Sequence, residues 1–151
     1  METLTKANNS TAALLDRMYK NVKMGADSII NLMPKVQDER LRTEMTTELS
    51  ELEKYSEQIS KMLSDEGAEA KEENIVSRMS AKMGMAMNTM IDSTTSHIAE
   101  MMMEGYTMGI TDMTKDIREY ENTKASEASL KLAREIVSFH ERSFDKMKSF
   151  L

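Results

Sequence analysis

The chain has 151 residues and a formal net charge of −6, with 26 Asp and Glu residues against 20 Lys and Arg residues. This balance argues against nucleic acid and anionic membranes as partners, because both are bound through a basic face. Cysteine is absent from the sequence, which excludes disulfides, thiolate catalysis and cysteine zinc sites and is compatible with a cytoplasmic location.

Hydrophobic residues make up 40% of the chain, yet its mean hydropathy is −0.53. Apolar and charged residues must therefore be interleaved along the chain, as they are in amphipathic helices. No stretch has the β-branched and aromatic pattern of a strand, and no apolar run approaches the ~20 residues needed to cross a bilayer. The sequence predicts a single all-α domain covering residues 1–151.

The N-terminal part is typical of a helical hairpin. We expect residues 1–8 to be frayed, and the Asn9–Thr11 stretch offers N-caps for a first helix that ends near Pro34. Asp38 is positioned to cap a second helix, which Gly67 ends. The apolar stripe predicted for the second helix consists of Leu41, Met45, Leu49, Leu52, Ser56, Ile59 and Leu63.

The middle of the chain is too long for one helix of a bundle, since the ~50 residues from Lys71 to Glu121 would extend ~75 Å. Two segments can interrupt it: the polar Asp92–Ser96, whose side chains compete for backbone hydrogen bonds, and Gly105–Gly109. We expect a crossover helix at residues 72–91 and a third bundle helix at residues 93–121. A single long, kinked third helix is the alternative.

The last helix is predicted from Glu127 to the C-terminus, with Ser126 as its N-cap. Its apolar residues recur at alternating spacings of three and four, which is the seam pattern of helices in a four-helix bundle. The seam consists of Leu130, Ala133, Val137, His140, Phe144, Met147 and Leu151.

Both histidines lie on lines that the sequence places on the inner side of a helix, and His140 belongs to the seam of the last one. The second line consists of Met83, Met87, Met90, Thr94, His97, Met101, Glu104 and Met108. A carboxylate on such a line needs a partner, a proton or a metal ion. Two interpretations are open: the histidines form hydrogen bonds within the core, or they belong to a metal or ligand site.

Ten of the 17 methionines lie between Met79 and Met113. Methionine fills irregular cores and adaptable surfaces, and its thioether also binds Cu(I). Neighbouring residues diverge by ~100° on a helix, so these thioethers cannot converge on one ion, and packing or self-association is favoured. Because the consecutive Met101–Met103 cover much of the third helix, we expect this Met-rich face to be buried in the bundle or in a homo-oligomer, first of all a dimer.

Three stretches carry a resemblance: MYKNVKMGADSIINLMPKV, MNTMIDSTTSHIAEMMMEGYTMGITDMTK and FHERSFDKMKSFL. Their layout, a helical hairpin, a crossing segment and a second hairpin, resembles the ferritin-like superfamily. The stretches themselves are similar to a small uncharacterised family of Firmicutes, clostridia especially. The resemblance implies a ferritin-like four-helix bundle. Members of the superfamily commonly hold two irons, using a Glu from each of two helices and a Glu-x-x-His from each of the other two.

The ligand set that the resemblance implies is incomplete in this sequence, because Glu-x-x-His does not occur. The second helix offers an inward acid, the third offers a reversed His-x-x-Glu pair and a further acid, and the last helix offers a histidine. These candidate metal ligands are Glu48, His97, Glu100, Glu104 and His140. They allow at most a degenerate site for iron or another transition ion.

The sequence therefore favours a ferritin-like bundle without a competent di-iron site, acting as a structural or interaction protein. The alternative is a metal-binding bundle that uses the candidate ligands. Enzymatic activity is disfavoured, because the sequence contains no G-x-S-x-G turn, no Gly-rich phosphate loop and no H-E-x-x-H motif. No cofactor is expected unless the metal-binding alternative holds.

Overall fold

A computed structural model describes residues 2–68 and 92–151, with side chains from residue 10 onwards in the first range. These ranges form an all-α four-helix bundle without strands, which confirms the predicted fold class. The helices are α1 (Glu2–Leu32), α2 (Glu39–Asp65), α3 (Thr95–Tyr120) and α4 (Glu127–Met147), with short 3-10 helices at Met33–Lys35 and Lys148–Phe150. None of the described helices has the length and apolar character needed to span a membrane.

Local capping explains where α2 and α4 begin and where α2 ends. The Asp38 side chain accepts a hydrogen bond from the Leu41 amide at 2.9 Å, and the Ser126 side chain accepts one from the Ser129 amide at 3.2 Å. Gly67, which follows α2, has a φ of +74° that only glycine adopts freely. The predicted start and end of α2 and the predicted start of α4 are therefore confirmed, whereas α4 ends at Met147 and not at the C-terminus.

The third helix begins where its polar N-terminal segment predicts. Residues 92–94 are not helical, and the Thr94 side chain caps α3 by accepting from the His97 amide at 3.3 Å. The helix then continues through Gly105 and Gly109, which confirms the prediction of a helix at about residues 93–121. The predicted crossover helix at 72–91, with its methionines, lies outside the described residues.

The first helix begins at Glu2, well before the start expected after a frayed segment at residues 1–8. Thr11, which the sequence offered as an N-cap, instead accepts a hydrogen bond from the Ser126 amide at 3.0 Å. Its hydroxyl therefore links α1 to the turn before α4.

Contacts between helices define the topology. Arg17 binds Asp116 at 2.9 Å while Asn21 binds the Gly109 carbonyl at 3.0 Å, so α1 and α3 are antiparallel. Two contacts join α1 to α4: Thr11 contacts Ser126, and further along both helices Asn21 contacts His140. These two helices are therefore parallel.

The two hairpins, α1–α2 and α3–α4, therefore place α2 and α3 in the same direction. The C-terminal end of α2 and the N-terminal end of α3 lie at opposite ends of the bundle. For a helix as long as α2 this separation is about 40 Å.

The buried faces agree with the prediction for α2 at every position but one, agree in part for α4 and differ for α3. In α2, Glu48 takes the place predicted for Leu49, which is only partly buried. In α4, Val137 and Phe144 are only partly buried and Leu151 is 58% exposed, because the helix ends at Met147. The buried residues of α4 are Ser129, Leu130, Leu132, Ala133, Ile136, Phe139, His140, Ser143 and Met147.

The inward line predicted for α3 through His97, Met101, Glu104 and Met108 is wrong, since Glu104 is exposed and Met108 is 55% exposed. The buried face lies one residue further along, about 100° around the helix. It consists of Ile98, Ala99, Met102, Tyr106, Gly109, Met113 and Ile117. The outer face of α3, which includes Glu100 and Glu104, is polar and exposed.

Candidate functional site

Each of the four helices contributes one polar side chain to the centre of the bundle. These residues are Asn21 of α1, Glu48 of α2, Tyr106 of α3 and His140 of α4, and we refer to them as the central cluster. All four are buried, with at most 5% of the surface of any one exposed. Because a buried polar group must find a partner or lose free energy, their pairing determines what the cluster can do.

The central cluster consists of two hydrogen-bonded pairs. His140 Nε2 lies 2.8 Å from Asn21 Oδ1, and the Asn21 amide nitrogen donates to the Gly109 carbonyl at 3.0 Å. Since the Asn21 oxygen can only accept, the proton of the neutral imidazole lies on Nε2. The second pair is formed by the Tyr106 hydroxyl, which donates to Glu48 Oε1.

Aromatic contacts join the two pairs. The ring of Tyr106 lies 5.6 Å from the imidazole of His140, measured between centroids. Phe139 packs against both, at 6.3 Å from Tyr106 and 5.6 Å from His140. The two pairs therefore lie in the same apolar environment. Its low dielectric constant strengthens their hydrogen bonds and raises the free-energy cost of any charge that has no partner.

The surroundings keep the central cluster neutral. Burial, assisted by the neighbouring carboxyl of Glu44, raises the pKa of Glu48 to about 9, although the bond from Tyr106 opposes this. Burial lowers the pKa of His140 to about 4 and raises that of Tyr106. Near pH 7, Glu48 is thus protonated and His140 is neutral.

Two glycines make room for the imidazole of His140. A Cβ atom added to Gly109 would lie 2.9 Å from His140 Nε2, and one added to Gly25 would lie 3.3 Å from Leu52 and 3.8 Å from the imidazole. Glycine inside a helix costs about 1 kcal/mol relative to alanine. At Gly109 this cost is offset by the close approach of α3 to His140.

A narrow crevice between α1 and α3 connects the central cluster with the surface. Its volume is about 50 Å³, and it runs from the exposed Met24 and Met108 past Gly105 to His140 and Tyr106. Space of this size accommodates a few water molecules, and ligand pockets of about 300–1,000 Å³ are much larger. The crevice therefore gives solvent access to the cluster without providing room for an organic substrate.

The structure brings together two of the five predicted metal ligands. Glu48 and His140 belong to the central cluster, whereas Glu100 and Glu104 lie on the exposed side of α3. His97 Nδ1 is 3.5 Å from Glu100 Oε2, with 38% and 59% of these side chains exposed. Within residues 10–68 and 92–151, no three His, Asp or Glu side chains are arranged to hold a metal ion.

The residues of the central cluster do not fit the di-iron centre that the ferritin-like resemblance implies. Such a centre needs carboxylates from all four helices and two imidazoles. Within the cluster α1 supplies an amide, α3 supplies a phenol and α4 supplies one imidazole, and its carboxyl is Glu48 of α2, beside Glu44 of the same helix. His97, Glu100 and Glu104 lie on the outer face of α3, too far around the helix from the central cluster to supply the missing ligands.

Asn21 and Tyr106 were not among the predicted site residues. Tyr106 continues the spacing of Met102, Gly109 and Met113, and Asn21 lies one helical turn before Gly25. A single polar residue at an apolar seam position is the signal that would have identified both of them.

Comparison of the chain with protein-family models found no match. Comparisons with curated proteins and with solved structures also found none.

Proposed function

We propose that the protein is a ferritin-like bundle that acts as a structural or interaction protein in the cytoplasm, without di-iron chemistry. The two hairpins support the ferritin-like relationship, because the C-terminal end of α2 and the N-terminal end of α3 lie at opposite ends of the bundle and ferritin-like folds have one long crossover among four helices. The observation that carries the functional proposal is the pairing within the central cluster. Its polar groups bind one another and are neutral, so they serve to fix the packing of the four helices.

A direct test of this role removes one hydrogen bond from the central cluster. Tyr106→Phe leaves Glu48 buried without its donor, and we expect a loss of about 1–3 kcal/mol in the free energy of unfolding. The matched control is Tyr120→Phe at the C-terminal end of the same helix, where only a small change is expected. Urea unfolding followed by circular dichroism measures both, and equal stabilities of the two variants would contradict the proposal.

One observation favours a metal-binding function as the second candidate. His140 Nδ1 is buried and has no hydrogen-bond partner among the described residues, and the Glu48 carboxyl lies in the same cluster. An imidazole nitrogen with a free lone pair is a ligand for transition ions such as iron. His97, Glu100 and Glu104 would take no part in such a site, because they lie on the outer surface.

Metal titration separates the two functions. If the central cluster is structural, Fe(II) and Zn(II) leave the melting temperature of the wild-type protein unchanged. If it binds an ion, the melting temperature rises with metal, and the rise is lost in His140→Leu but retained in His97→Leu.

A further inference from the structure

The exposed apolar side chains of the described residues are concentrated on one face of the bundle. Among the described residues, three large hydrophobic side chains are exposed: Met24 at 42%, Met108 at 55% and Leu151 at 58%. The first two lie on α1 and α3, on either side of the crevice. We call the surface formed by α1 and α3 around this crevice the α1/α3 face.

Charges of opposite sign flank the two methionines. A groove of about 400 Å³ continues from the crevice along the α1/α3 face. On its α1 side the charged lining residues are Arg17 and Lys20, whereas the α3 side carries three acids and one lysine. These residues of α3 are Asp112, Lys115, Asp116 and Glu119. Arg17 is bound to Asp116 of the same chain at 2.9 Å, and Lys20 lies 3.1 Å from Asp16 with 65% of its side chain exposed. The face therefore has a basic edge and an acidic edge on its two helices, and the exposed charges that remain accessible to a partner include Lys20 and Asp112.

Such a face is complementary to itself. A two-fold axis that lies in the interface and runs parallel to the helices places α1 of one copy on α3 of the other, at the same height along the bundle. Lys20 then lies opposite the acidic edge of the partner around Asp112, and Met24 lies opposite the partner's Met108. The methionines meet at the centre, where their flexible side chains can adapt to each other.

We propose that the α1/α3 face binds the same face of a second copy of this chain, forming a two-fold dimer that closes the crevice over the central cluster. This inference rests on the proposed function as an interaction protein and specifies its partner. It also replaces the Met101–Met103 face expected from the sequence, because Met102 is only 2% exposed and belongs to the core of its own bundle.

The first test places a charge at the centre of the proposed interface. Met108→Glu should weaken dimerisation at least about tenfold, because a carboxylate would be buried between two apolar side chains. Leu151→Glu is the matched control, since it alters an equally exposed side chain away from this face and should leave the dimer intact. Sedimentation velocity gives the mass, and circular dichroism verifies that both variants stay helical.

The second test uses the symmetry of the interface. Lys20→Glu and Asp112→Lys should each weaken the dimer, because each variant places like charges opposite each other twice. When the two variants are mixed, every such pair becomes attractive again, so heterodimers should form about as well as the wild-type dimer. Recovery in a chain that carries both substitutions could also come from a contact within the monomer. Recovery when the two single variants are mixed can come only from a contact between chains.

A wild-type protein that is monomeric throughout the micromolar range would overturn the inference. A dimer insensitive to Met108→Glu would place the interface elsewhere. A dimer that Lys20→Glu and Asp112→Lys weaken, without recovery on mixing, would overturn the parallel two-fold axis. None of these results depends on metal titration or on Tyr106→Phe, so failure of the dimer and failure of the structural role of the central cluster are distinguishable.

Discussion

His97 and His140 are the two histidines of the chain, and the sequence placed both on inward lines, but their surroundings are opposite. His140 is 1% exposed, is bound to Asn21 and has a lowered pKa, whereas His97 lies in the first turn of α3 beside the exposed Glu100. The difference shows that the buried imidazole of His140 obtains its hydrogen-bond partner from another helix. A polar residue on the outer face needs only water.

The largest expected difference in stability between changes at the buried centre and changes at the outer surface of the bundle comes from two glycines of α3. Gly109→Ala should lower the free energy of unfolding by about 2–4 kcal/mol, because the new Cβ atom would collide with His140 and break its bond to Asn21. Gly105→Ala is the matched control. Its Cβ atom would meet only Ser28 at 3.8 Å, so we expect a gain of up to about 1 kcal/mol from helix propensity.

Urea unfolding of the two glycine variants tests this expectation. Changes of the same sign and size would mean that the close approach of α3 to the imidazole is not needed for stability.

The histidines themselves should respond unequally to the same substitution. His140→Leu should cost about 1–3 kcal/mol, because it leaves the buried Asn21 oxygen without a donor. Addition of Asn21→Leu should recover part of this loss, since both polar partners are then removed. His97→Leu should change stability by less than about 0.5 kcal/mol. Calorimetric melting temperatures provide the comparison, and a tolerated His140→Leu would indicate that the bond to Asn21 contributes nothing.

The pH dependence of stability should also be dominated by the buried region. Glu48 binds its proton up to about pH 9 in the folded state but only up to about 4.5 when unfolded, so its stabilising contribution decreases as pH rises between these values. His140 acts in the opposite direction, since its contribution decreases as pH falls from 6.5 to about 4. Together they favour a stability maximum between about pH 4.5 and 6.5.

Glu48→Gln isolates the contribution of Glu48 to the pH dependence of stability. The amide keeps an oxygen that accepts from Tyr106 but cannot ionise, so the variant should be close to wild type near pH 5 and increasingly more stable than wild type towards pH 9. Its advantage should grow by at most about 1.4 kcal/mol per pH unit. Chemical unfolding at several pH values measures it, and a constant difference would show that Glu48 is already ionised in the folded protein.

The features that could be predicted from the sequence are those determined locally. Asp38, Ser126 and Gly67 act within their own turns, so the start and end of α2 and the start of α4 follow from them. The seam of α2 was also predictable, because its other faces are densely charged. The face of α3 was not, since methionines occur on several sides of that helix and more than one apolar line can be drawn through them.

The central cluster could be predicted only in part for a related reason. His140 and Glu48 are of residue types that bind metal ions, so both were among the candidate ligands predicted from the sequence. The roles of Asn21 and Tyr106 arise only when four helices come together, because each of the two bonds joins residues of different helices. A sequence indicates that a polar group is buried, whereas its partner is determined by packing between distant segments.

The most direct measurement is a titration of the Glu48 side chain by carbon-13 NMR, with Glu48→Gln used to assign its carboxyl signal. The account predicts a protonated carboxyl at pH 7 that titrates near pH 9, as expected for a neutral cluster bound to itself. A carboxylate already ionised at pH 7 would contradict the account, and would indicate that the centre of the bundle is built to hold a charge.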